Sequence, residues 1–155
     1  MTSLTDTEVA DLSSAAQRTG LRIDIRTGVG RGPTELAAFD AALRDAHIAN
    51  FNLVVLSSVI PPGSEISVVQ EPSCERPPGE WGDRLYVVMA QKRTSTQGEP
   101  VSAGIGWVQD EVSGRGLFVE HEDREEWKVR QDVQLSLDSM VEARPGRFGP
   151  MKTMV

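Results

Sequence analysis

The sequence predicts one mixed α/β (α+β) domain of several strands and two helices, preceded by a short peripheral tail. Three observations predict it. At 155 residues the chain is the size of one domain, long enough to bury one core but not two. With 39% hydrophobic and 25% charged residues, its composition is globular rather than disordered. Along its length, short apolar runs with the character of strands surround two longer segments whose apolar residues recur at helical spacing, and Gly and Pro punctuate the joins.

Residues 1–20, MTSLTDTEVADLSSAAQRTG, are polar and alanine-bearing; they allow at most a short helix from Asp6 to Arg18, ended by Gly20, and read as an extension outside the domain of residues 21–155. LRIDIRTGV alternates Leu21, Ile23 and Ile25 with Arg22, Asp24 and Arg26, the period of a strand with one wet face. Gly28, Gly30 and Gly32 follow. GVGRG is not the G-x-G-x-x-G of a dinucleotide loop, and a tight turn accounts for it better than a phosphate cradle. Pro33 suits the first turn of a helix, and Leu36, Phe39, Leu43 and Ala46 extend that helix over about Thr34 to His47. Leu53 to Leu56 forms a short buried strand, and Pro61 and Pro62 forbid its continuation as a central one.

After a Pro- and Gly-rich loop between Glu71 and Asp83, strands are expected near Leu85 to Gln91, Val101 to Gln109 and Gly116 to Glu122, the last two joined by the Asp110 to Gly114 turn. Glu125 to Val141 then carries Trp127, Val129, Val133, Leu135, Leu137 and Met140 as an amphipathic helix. Gly146, Gly149 and Pro150 close it, and MKTMV reads as the start of a strand.

The same composition excludes several classes of function. A net charge of −7 with no basic stripe argues against nucleic acid, whose binding depends on Lys and Arg neutralising phosphates. No apolar run approaches the roughly 20 residues of a spanning helix, and the N-terminus lacks the regions of a secretory signal, so a soluble, cytoplasmic protein without membrane partners is expected. The single cysteine, Cys74, cannot form an internal disulfide and reads as an inert loop thiol. Two histidines supply no cluster spaced for zinc.

The stretch NFNLVVLSSVIPPG, Asn50 to Gly63, sets Ser57 and Ser58 side by side between an apolar run and two prolines. A serine hydroxyl held against the carbonyl of the preceding residue can convert that peptide bond to an ester, and elimination across the serine's Cα and Cβ then breaks the chain. The new N-terminal residue becomes a dehydroalanine, whose hydrolysis yields a pyruvoyl group. Read alone, two small polar residues also simply cap a strand before a turn.

The order N-L-x-x-x-S-S-x-x-P-P, carried by Asn52, Leu53, Ser57, Ser58, Pro61 and Pro62 and preceded by an A-F-D-x-A-L helix, resembles the pyruvoyl-dependent arginine decarboxylases. GLFVEHE, residues 116–122, looks like that family's strand bearing the catalytic glutamate, and the likeness spans about Leu21 to Val155. The resemblance implies a four-layer α/β/β/α sandwich, assembling into trimers or dimers of trimers with active sites between subunits. It implies cleavage between Ser57 and Ser58, with the pyruvoyl group formed from Ser58 as the only cofactor, neither metal nor pyridoxal phosphate being needed.

Carried over residue by residue, Asn52 matches the asparagine that assists processing and lies beside the cofactor; the alternative is an asparagine at a strand start bonding local backbone. Glu120 matches the residue that returns a proton after CO2 leaves, and alternation sets it on one strand face with Glu122, opposite His121. Asp40 matches an aspartate lining the pocket for the substrate's cationic end, the alternative being an i,i+4 ion pair with Arg44. The implied reaction converts L-arginine to agmatine and CO2 through a Schiff base with the pyruvoyl group, which stands in for pyridoxal phosphate as electron sink. A proton donor near neutral pH requires a glutamate whose burial raises its pKa, and Glu120 follows the apolar Leu117, Phe118 and Val119.

Two departures from the family stand out. Family members usually continue with another strand where this chain stops at MKTMV, and Ala49 stands where the family often has glycine, near the substrate pocket. The last strand of the fold is therefore expected to be missing, and the same chemistry on another amino acid stays open. A different class of function, an uncleaved relative kept as a binding or assembly subunit, stays open too.

Overall fold

The structure, a computed structural model, describes residues 20–69 and 76–155; the expected tail helix from Asp6 to Arg18 and Cys74 lie outside the described residues. It is a mixed α and β fold built on three sheets. β1 (Arg22–Ile25) runs parallel to β4 (Glu65–Val68), with Ile23 opposite Ile66. β2 (Asn52–Val55) runs parallel to β5 (Arg84–Val87). The third sheet is antiparallel in the order β3 (Val59–Ile60), β7 (Gly116–Asp123), β6 (Ser102–Gln109), β8 (Lys152–Met154).

The sequence expectation finds six of these strands, with β5 ending at Val87 rather than Gln91, and misses β3 and β4. β3 has only two residues before Pro61, too short to display a period. MKTMV supplies β8, whose Met154 lies opposite Ile105 of β6.

Helix α1 (Glu35–Asp45) begins one residue later than expected, because Thr34 is its N-cap: its side chain accepts the Ala37 N–H at 3.1 Å. Pro33 thus precedes the cap instead of opening the helix. At the far end the Ile48 N–H reaches the Leu43 carbonyl at 2.9 Å and the His47 N–H reaches that of Arg44 at 3.0 Å, a Schellman closure with His47 in the left-handed position at φ 61°. The three glycines after β1 do not form the expected tight turn. They let an extended segment lie against the alanine face of α1: a Cβ at Gly28 would stand 2.1 Å from the Ala42 carbonyl oxygen, and one at Gly30 2.2 Å from that of Ala38.

Helix α2 (Glu126–Glu142) buries Val129, Val133 and Leu137, spaced four residues apart, against Val108, Leu117 and Val119 of the four-stranded sheet. Each of these side chains contributes about 1.5–3 kcal/mol by leaving water. The helix comes close because β6 presents glycines to it: a Cβ at Gly106 would meet Val133 Cγ1 at 2.2 Å. Trp127 and Leu135, expected on the apolar stripe, are exposed. The opposite face of the same sheet carries Ile60, Trp107 and Phe118, packed with Ile25 and with Ile23, Ile66 and Val68 of the β1–β4 pair. One sheet therefore holds two cores, and β7 contributes to both.

Candidate functional site

The serine pair stands where the chain leaves one sheet and joins another. β2 ends at Val55, β3 starts at Val59, and Ser57 and Ser58 bridge them, Ser57 exposed and Ser58 half-buried. Register then decides which residues meet. Val59 lies opposite Leu117 and Ile60 opposite Gly116, so the next residue, Ser58, falls across from Phe118, whose N–H donates to the Ser58 carbonyl at 2.8 Å. Glu120 lies two residues farther along β7 on the face of Phe118, a diagonal neighbour within reach of a long side chain.

Ser58 Oγ donates to Glu120 Oε1 at 2.5 Å, joining residues 62 apart in sequence. A hydrogen bond this short fixes the serine rotamer as well as the glutamate. A third contact closes the junction: the Val59 N–H donates to the Ser57 carbonyl at 2.5 Å. Ser58 is thus held at its hydroxyl and at its carbonyl, with the preceding carbonyl held as well.

The other sequence candidates take different places. Asn52 opens β2, where its Nδ2 donates to the Gly82 carbonyl at 2.6 Å and its N–H to the Asp83 carbonyl at 2.8 Å. Asp40 sits on the exposed face of α1, its carboxylate 3.1 Å from the Arg44 guanidinium. Its neighbour Phe39 carries the guanidinium of Arg93 3.9 Å above its ring. The structure brings Ser57, Ser58 and Glu120 together; it joins neither Asn52 nor Asp40 to them by a hydrogen bond.

On β7 the side chains divide as alternation requires. His121 points to α2, where its Nε2 lies 2.8 Å from Ser136 Oγ, while Glu122, on the face of Glu120, is exposed 4.0 Å from Lys92. The two glutamates therefore differ in partner: one holds a serine hydroxyl, the other faces solvent beside a lysine. The backbone donors of Val59 and Phe118 escaped the sequence reading, since a main-chain N–H has no residue type to announce it. Among the described residues no group of three or more His, Cys, Asp or Glu could hold a metal ion, and no helix is long and apolar enough to cross a membrane.

The family profile of the pyruvoyl-dependent arginine decarboxylases matches residues 22–151. The chain belongs to that family. Among its relatives, the pyruvoyl-dependent arginine decarboxylase of Halobacterium salinarum is 43% identical over 103 residues, covering 66% of this chain and 61% of the relative. That of Thermoplasma volcanium is 39% identical over 95 residues, 61% of this chain and 50% of the relative. A third, pyruvoyl-dependent arginine decarboxylase 1 of Methanosarcina mazei, is 34% identical over 106 residues, 68% of this chain and 62% of the relative. The chain thus spans about half to three-fifths of the length of these relatives. The junction, Ser57 and Ser58, and its partner Glu120 fall within the residues matched by the family profile.

Proposed function

We propose that this chain is a self-processing pyruvoyl-dependent decarboxylase that converts L-arginine to agmatine and CO2. The observation that carries the reading is the Ser58–Glu120 hydrogen bond, which couples the residue to be modified to the residue that handles a proton. In processing, Ser58 Oγ bonds to the Ser57 carbonyl carbon and the Ser57–Ser58 C–N bond breaks, the hydroxyl proton ending on the freed nitrogen. Loss of the Ser58 Cα proton with cleavage of Cβ–Oγ then releases the Ser57 carboxylate and leaves a dehydroalanine, which takes up water and loses ammonia to give the pyruvoyl group.

The residues at the junction fit that group. The Ser58 carbonyl, which would become its amide carbonyl, already accepts the Phe118 N–H, and its other end points at Glu120. The pyruvoyl group supplies an electrophilic carbonyl for the substrate α-amine and a sink for the electron pair left when CO2 departs. Glu120, whose Oε1 touches the Ser58 side chain, is the group that would return a proton to the carbon CO2 leaves. Asn52, at the start of the strand leading into the junction, assists processing and borders the site. Asp40 receives the guanidinium, whose paired N–H donors match a carboxylate. Its present partner, Arg44, is an exposed i,i+4 neighbour worth only about 0.2–0.5 kcal/mol, so a substrate guanidinium displaces it readily.

The exposed apolar side chains of Leu36, Val55, Leu56 and Tyr86 support self-association, and the family resemblance gives its form as trimers of a four-layer α/β/β/α fold with the substrate site completed by a neighbouring copy. A decarboxylation assay across arginine, lysine, ornithine and histidine tests the reading. Arginine is expected to be used best, because lysine and ornithine offer only a point-like ammonium. Asp40→Asn is expected to raise KM for arginine with kcat little changed, since the guanidinium is remote from the bond that breaks. An unchanged KM and preference in a processed enzyme would return Asp40 to helix surface, and preferred use of another amino acid would change the substrate but not the reaction class.

A further inference from the structure

We propose that the backbone N–H of Val59 is the oxyanion donor for the cleavage between Ser57 and Ser58; the proposal rests on the self-processing reading above. β3 is the edge strand of its sheet, and its register leaves one residue off the ladder. Ser58 and Phe118 form a hydrogen-bonded pair through the Phe118 N–H, so Val59 and Leu117 form the non-bonded pair that follows. The Val59 N–H therefore points away from β7. An edge strand ordinarily leaves such a donor to water. Here it folds back onto the Ser57 carbonyl oxygen at 2.5 Å, closing a three-residue turn around Ser58, which does not take a positive φ.

That oxygen is the atom on which charge develops. When Ser58 Oγ bonds to the Ser57 carbonyl carbon, the carbonyl π pair moves onto the oxygen, and the tetrahedral centre then collapses by breaking the C–N bond. A donor already in place strengthens its hydrogen bond as the acceptor becomes anionic, so it favours the transition state over the ground state. The remaining contacts fix the geometry of the attack. Glu120 holds Oγ and the Phe118 N–H holds the Ser58 carbonyl, so residue 58 is pinned at its attacking hydroxyl and at its carbonyl, while the Val59 N–H holds the carbonyl under attack. The side-chain amide of Asn52 donates to the Gly82 carbonyl at 2.6 Å, and the donor seen at the Ser57 oxygen is the main-chain N–H of Val59.

The test compares Val59→Pro with Val59→Ala, following cleavage of the freshly folded full-length chains by intact mass. Both replace the valine side chain, but only proline lacks the N–H. Proline is tolerated at an edge position whose N–H lies off the ladder. The proline variant is expected to cleave about 10²–10³-fold more slowly than the alanine variant, the usual effect of removing one oxyanion donor. Equal rates in the two variants overturn the proposal. If circular dichroism finds the proline chain unfolded, a backbone ester in place of the 58–59 amide takes its place, deleting the N–H while keeping the valine. Slowed cut after residue 57 in that chain supports the proposal, and the parental rate overturns it. A parental chain that stays whole removes the self-processing reading itself, whereas a parental chain that is cut alongside equally fast variants removes only the role of Val59.

Discussion

The two helices of this chain make opposite use of their apolar residues. α2 buries Val129, Val133 and Leu137 almost completely, whereas α1 buries no residue of its own and leaves Leu36 71% exposed. The α2 half packs a core against one face of the sheet; α1, β2 and the serine junction carry Asp40, Asn52, Ser57 and Ser58 at exposed or half-buried positions. β7 joins the two, presenting Leu117 and Val119 to α2 and, on its other face, Phe118 to the second core and Glu120 to Ser58. Substitutions in the two regions should separate stability from chemistry.

The largest effect is expected in the α2 half. Leu137→Ala opens a cavity beneath a fully buried side chain and should cost about 2–5 kcal/mol in urea unfolding. The part of the population that remains folded should still cleave after Ser57. Loss of cleavage in folded Leu137→Ala protein would break the separation.

The next is Glu120→Gln. Its amide oxygen still accepts the Ser58 hydroxyl, so cleavage should proceed, while turnover should fall by about 10²-fold or more because an amide is no proton donor. Glu122→Gln, which alters an exposed residue on the same strand face, is the control. Equal losses from both substitutions would remove Glu120 from its role.

The smallest effect sharpens the comparison away from the junction. Asp110 lies in the turn between β6 and β7, and its carboxylate is lowered from 3.8 to about 2 by the Ser113 hydroxyl, the Ser113 N–H and the Arg147 N–H. Its folded value lies below its unfolded one, so the unfolded chain binds more protons in this window. The stability it adds is complete above the ordinary carboxylate range and is lost as pH falls toward 2. Asp123 and Glu99 are lowered too, with the same sign, so the informative quantity is a difference. The urea midpoint of Asp110→Asn should fall less steeply than the parent's below pH 4, with cleavage unaffected; parallel midpoint curves would contradict the assignment.

Much of this division could be read from the sequence. The four-residue spacing of Val129, Val133 and Leu137 marks a helix whose face is filled within the chain, and the long alternating strands β6 and β7 were delimited to within a residue. Ser58 and Glu120 stand out through a family resemblance, and their contact is a product of register, which no local pattern encodes over 62 residues. β3 was hidden by its brevity, yet its two residues set that register. The glycines at 28, 30 and 32 are visible in the sequence, but close approach to α1 and a tight turn ask for the same residue, so the pattern points to the turn where the fold has the close approach.

Intact-mass analysis of the purified protein decides most directly whether the junction is a processing site. Chains of 57 and 98 residues, together accounting for the 155 of the sequence, are expected, with a blocked N-terminus on the longer one and a single uncut chain for Ser58→Ala. A parental protein that is folded and yet present only as the full-length species would contradict it.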